Sequence, residues 1–239
     1  MNFETSLQTH FPGAVPEAAF VSQTYAALQK LGFSATNSIA CVSVCRDERT
    51  HPLLLKIYET WGEPFNFSSL AGMLFLGKTG FSAAYLHAPQ MDGRERYVHF
   101  AMPHIAFSES GEIGLFQRPG REQPSGACGA LMAFHAELVA ASVNLELDPD
   151  DVEQSLLKQR LFKELRTGDV PDLVSLTRLA QKAILADLEH MIALSVNPAT
   201  SDYAVLSGVQ IHASDYSDYV WPAEMYAVVN GQRHELSLA

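Results

Sequence analysis

Basic charge is what this chain has least of. Sixteen Lys and Arg stand against 27 Asp and Glu, a formal net charge of −11 at pH 7. That balance argues against a nucleic acid or an anionic membrane as the main partner. It also makes a neutral small molecule a better substrate than a polyphosphate. Charged residues of both signs reach only 18%, which leaves little composition for disorder. No apolar run approaches the ~20 residues of a membrane span. The opening Met1-Asn2-Phe3-Glu4-Thr5 lacks a basic region followed by an apolar stretch, so no signal peptide is expected and a cytoplasmic location is. Cysteine is scarce too. Three, an odd count at wide spacing, make a poor disulfide framework and point to a reducing compartment with metal-binding or catalytic thiols.

What is present is core material. Apolar residues make up 47% of 239, enough for one large domain or two small ones. No repeat, low-complexity tract or linker interrupts them. Periodicity and punctuation predict helices over 17–31, 49–61, 127–143, 150–166 and 173–196. They predict strands over 39–44, 97–107 (interrupted by Pro103), 203–212 and 225–229, with Asn230-Gly231 as a turn. Ser108 to Gly111 reads as a hairpin turn with a short partner strand over 112–117, and 118–126 as a loop. The apolar, glycine-punctuated stretch 65–88 resists assignment. Strands separated by helices imply an α/β fold: a single domain whose mainly parallel sheet is flanked by helices.

The first strand, Ile39-Ala40-Cys41-Val42-Ser43-Val44, runs into Cys45-Arg46-Asp47-Glu48-Arg49, a C-x-D-x-R pattern. A thiolate is a soft zinc ligand. Asp47 is placed to accept a hydrogen bond from a metal-bound hydroxide, and Arg49 to hold that carboxylate with its planar fork. Open α/β sheets put their sites beyond strand C-termini. The pattern resembles the first zinc motif of the β-carbonic anhydrases. A second candidate, Cys128, sits between Ala127 and Gly129 at the expected start of a helix, where the dipole lowers a thiol's pKa. There the sequence departs from the H-x-x-C-G of those enzymes, because Ser125 occupies the histidine position. The residues alone leave the third ligand open, with His99 and His104 in the 97–107 segment as candidates and His87 behind them.

Four blocks in order carry a closer resemblance: Asn37 to Glu48, Phe65 to Gly80, Pro103-His104-Ile105-Ala106, and Ser125-Gly126-Ala127-Cys128-Gly129-Ala130. They are similar to the limiting-CO2-inducible protein B/C family, which carries a β-carbonic-anhydrase-like domain. The resemblance implies zinc held by Cys45, His104 and Cys128, with Asp47 and Arg49 as the catalytic dyad. It implies interconversion of CO2 and bicarbonate through a zinc-bound hydroxide, and a homodimer. On this reading residues 37–239 form the catalytic core and 1–36 an N-terminal helical arm. Two other functions stay open: a catalytically silent zinc protein that binds bicarbonate or a protein partner, and a P-loop nucleotide hydrolase. The last rests on Gly72-Met73-Leu74-Phe75-Leu76-Gly77-Lys78-Thr79, which fits G-x-x-x-x-G-K-[ST]. Bulky Met-Leu-Phe-Leu between the glycines is core-like, and the glycines read equally as points of close packing.

Overall fold

The computed structural model describes residues 2–166 and 168–238. In chain order its elements are α1 (Phe3–His10), β1 (Val15–Pro16), α2 (Glu17–Gln29), β2 (Ile39–Ser43), α3 (His51–Trp61), β3 (Phe65–Asn66), α4 (Gly77–Tyr85), β4 (Gln90–Met91), β5 (Arg94–Ala101), β6 (His104–Phe107), β7 (Leu115–Phe116), β8 (Ser125–Gly126), α5 (Gly129–Val139), α6 (Val152–Phe162), α7 (Leu173–Ser195), β9 (Ser201–Ala213), β10 (Tyr219–Val229) and β11 (Gln232–Glu235). Single 3-10 turns occupy Glu48–Thr50 and Leu70–Gly72.

One nine-stranded sheet runs β1-β10-β9-β5-β2-β3, with β11 on β10, β4 on β5 and β6 on β9. The block β3-β2-β5-β9, together with β6 on β9, is parallel. The C-terminal hairpin β9–β10 makes the other edge antiparallel, and Asn230-Gly231, both at positive φ, forms the turn into β11. The sheet's sides sort by residue parity. Cys41, Ala101 and Val205 face a cluster with α4, α5, α6 and α7. Ala40, Val42, Val98, Phe100, Ala204 and Leu206 face one with α2 and α3. Cover on both faces is why these strands read as continuous apolar runs. The N-terminal segment is built into the body: Leu7 and Phe11 pack with Ile105 and Phe107, and β1 pairs β10.

Two expectations change. The strand expected over 112–117 pairs the 97–107 segment only at its start, where Ser108 donates to Glu112 O, Phe107 bridges Ile113 and Gly114 donates to Ala106 O. Leu115–Phe116 pairs Ser125–Gly126 instead. Further pairing on β6 stops there because Ala106 donates its N–H to Ala127 O. The stretch 65–88 resolves into β3, a 3-10 turn and α4. Its aromatic residues Phe67 and Phe81 sit in the core, 6% and 0% exposed. The P-loop-like run is no phosphate cradle. Gly72 closes a turn whose Cβ position lies 2.6 Å from the Met102 carbonyl oxygen, and Ser43 Oγ donates to its carbonyl. Close packing explains Gly72. Gly77, with nothing within 4 Å of its Cβ position, serves through its positive φ at the start of α4.

Candidate metal centre

β2 and β5 end side by side, Ser43 registering with Ala101, and the site lies just past that line. Beyond β2, the Cys45 carbonyl accepts from Thr50 Oγ1 at 2.8 Å. Asp47 Oδ1 caps the following turn by accepting from Arg49 N at 3.0 Å. Beyond β5, Met102 and Pro103 break the strand, and it resumes as β6 with His104 in register with Gln210. Both β5 and β6 lie on the one long strand β9. Across from them, Cys128 is the N-cap residue of α5, and Ala127 before it is pinned to Ala106 and Gly114.

These supports bring Cys45, His104 and Cys128 together from three separate segments, with their donor atoms all within 4.8 Å of one another. The two Sγ atoms are 3.8 Å apart. Exposure is 5%, 0% and 1%. His104 Nε2 is buried without a partner, while its Nδ1 lies 2.9 Å from His212 Nε2. This group could hold a metal ion. The thiols are within hydrogen-bond distance: the bond from Cys128 pulls Cys45 far below the ordinary thiol range, against the upward push of burial, with a further pull from His104. The same bond, with burial, drives Cys128 up.

Asp47 and Arg49 stand beside the centre, but not as the expected pair. The fork on Asp47 belongs to Arg118, whose Nη2 reaches both carboxylate oxygens at 2.9 and 3.1 Å. Arg118 is itself fixed by Glu48, Ser125 Oγ at 2.7 Å and Gly126 O at 3.0 Å. Arg49 touches Asp47 only through its backbone N–H. Its guanidinium turns inward to Asp218, with Nη2 at 2.7 and 2.8 Å from the two oxygens, and lies over the rings of both Phe116 and Tyr216, 4.4 and 4.2 Å from their centroids. The physical reason is the 3-10 turn. Asp47 uses one oxygen to cap it, and residue 49 points to the sheet, where two aromatic faces and a buried carboxylate receive a guanidinium.

Sequence reasoning missed Arg118, His212 and Asp218. Arg118 lay in a loop with no periodic signal. His212 ends an apolar strand, and a polar residue there was a usable cue. Nothing separates Asp218 from Asp215 in Ser214-Asp215-Tyr216-Ser217-Asp218-Tyr219. Burial pushes the Asp218 carboxyl up to about 6 against the pull of Arg49. Burial likewise pushes His212 well below the usual histidine range.

Residues 14–229 match the family model of limiting CO2-inducible proteins B/C, beta carbonic anhydrases. The chain belongs to that family. As an LCIB/LCIC-family member it is also similar to solved structures along nearly its whole length. One, the limiting CO2-inducible protein LCIB, is 36% identical, with 99% of this chain and 100% of that chain covered and a TM-score of 0.82. Another, PtLCIB4, a homolog of LCIB, is 26% identical, with 97% and 98% covered and a TM-score of 0.85. No curated protein sequence matches this LCIB/LCIC-family chain.

Proposed function

We propose that the chain is a zinc-dependent carbonic-anhydrase-like enzyme that interconverts CO2 and bicarbonate, with zinc on Cys45, His104 and Cys128. The observation that carries this reading is the donor geometry. Two thiolates about 2.3 Å from a tetrahedral zinc stand roughly 3.8 Å apart, the separation of Cys45 and Cys128 Sγ, and the orphaned His104 Nε2 supplies a third ligand. Three protein donors are the complement of a catalytic rather than a closed structural site. Bound zinc would act as a Lewis acid that makes water acidic enough to yield a nucleophile near neutral pH.

The protein's own residues do the rest. Cys45 and Cys128 would hold the metal as thiolates, so any thiol proton between them would have to leave. Asp47, two residues beyond Cys45, accepts the hydrogen bond of the reacting water and sets its direction. Burial pushes the Asp47 carboxyl up, and Arg118, on both its oxygens, holds it in place, the role the sequence pattern had given Arg49. Metal analysis of the purified protein together with a CO2 hydration assay tests the reading. About one zinc per chain and hydration above background support it, and absence of bound zinc overturns it.

One observation favours the silent alternative. None of the three donors is more than 5% exposed, and the Arg118–Asp47 pair beside them is itself mostly buried. Zinc with background hydration would select that reading. The family resemblance supports a homodimer. A monomer in solution scattering would remove the dimer.

A further inference from the structure

A polar chain backs the third donor of the centre, and the motifs do not contain it. His104 Nδ1 lies 2.9 Å from Nε2 of His212, the penultimate residue of β9. His212 Nδ1 lies 3.2 Å from Asp218 Oδ2, at ion-pair distance although not a straight hydrogen bond. Asp218 receives Arg49 Nη2 on both oxygens. The four residues are 0%, 0%, 8% and 4% exposed.

Valence fixes the direction of the chain. A metal on His104 Nε2 needs the lone pair there, so the ring's proton sits on Nδ1 and is donated to His212 Nε2. That nitrogen must then be an acceptor, which puts the proton of His212 on Nδ1, 3.2 Å from the Asp218 carboxylate. The opposite order fails at both ends. It would protonate His104 Nε2 toward the thiols and leave His212 Nδ1 with a lone pair against a carboxylate.

We propose that His212 and Asp218 are positioning residues for the metal: they hold His104 as the Nδ1–H tautomer with Nε2 aimed at Cys45 and Cys128, and Arg49 anchors their far end. The arginine of the C-x-D-x-R pattern thus acts on the histidine ligand rather than on Asp47. Partners behind a ligating imidazole set its tautomer and raise its basicity, and losing them costs roughly 10–100-fold in metal affinity. This inference rests on the zinc reading above.

The test is zinc affinity by competition with a chromophoric chelator, on His212→Leu, His212→Gln and Asp218→Asn, with the ring-nitrogen NMR of zinc-loaded parent protein alongside. His212→Leu should weaken zinc about 10–100-fold. His212→Gln should recover most of that, because its side-chain oxygen can accept the His104 Nδ1–H, and Asp218→Asn should fall between. The parent spectrum should show His104 protonated at Nδ1 and metal-bound at Nε2. Near-parent affinity in a folded His212→Leu, or Gln no better than Leu, overturns the proposal. So does zinc on His104 Nδ1, a result that needs no variant to fold. If His104→Ala loses zinc while the His212 variants keep it, the polar chain fails and the metal site stands. A parent that binds no zinc sinks both.

Discussion

A cysteine and a histidine are paired twice along this part of the sheet, once within two strands and once just past their ends. Cys41 and His99 are register partners within β2 and β5. Cys45 and His104 follow four and five residues later, past the strand ends. The inner pair is sealed between layers. Burial alone drives the Cys41 thiol far up and pulls His99 down to about 3. Neither ring nitrogen of His99 has a partner, and its ring stacks on Phe81 at 5.6 Å. The outer pair has equally little exposure, but strand ends, a helix start and a turn surround it. A second thiol, a second imidazole and capped carboxylates therefore reach it. Burial without partners silences a group, whereas burial among partners tunes it.

Breaking the outer pair should have the largest effect. His104→Ala should lose most zinc, on the order of 100-fold or more in affinity for one of three ligands. His99→Leu should keep it in the same assay. Full zinc retention in His104→Ala would move the ligand to His99 or His87.

Next comes the carboxylate. Asp47→Asn should bind zinc normally and lose hydration activity by roughly 10²-fold, a typical size for removing one oriented polar group. Arg118→Ala should follow it in the same direction. Arg49→Ala should instead weaken the metal, so measuring zinc and rate together separates the two arginines. A parent-like rate in Asp47→Asn would refute its role.

The inner pair is tested by acid. His99 is held neutral in the fold, below its ordinary value of 6.5, so the unfolded chain binds the extra proton. Its stabilising contribution is complete above pH 6.5 and is lost as pH falls toward about 3. Urea unfolding of the parent at pH 7 and pH 4 should show on the order of 2–3 kcal/mol of acid loss that His99→Leu, of similar volume, does not share. Equal acid loss in the two proteins would mean that His99 is charged or solvated. Cys41→Ala should have the smallest effect, about 1 kcal/mol of stability from lost packing, with zinc content unchanged.

Much of this arrangement was legible in the chain. Apolar runs bounded by Gly, Pro and charge gave β2, β5, β6 and the long helices, because layers that bury both faces of a sheet leave an unmistakable composition. Cys45, His104 and Cys128 stood out through the thiols and through family-like blocks. The partners did not. Which carboxylate a guanidinium meets depends on a single turn's direction, and the 3-10 turn after Asp47 redirected Arg49 by a choice no spacing rule encodes. His212 and Asp218 lie over a hundred residues from the motif they serve, and only the fold brings them near it.

β9 carries a further consequence. Because β5 and β6 lie end to end on this one strand, Met102-Pro103 acts as a spacer of fixed parity. One residue added or removed there would either turn His104 to the opposite face or slide β6 along β9. Two would restore the facing at a different depth. Length change among relatives should therefore be suppressed at this joint and collect in loops such as 118–124, so that the spacing between Ala101 and His104 becomes a heritable ruler for the position of the ligand.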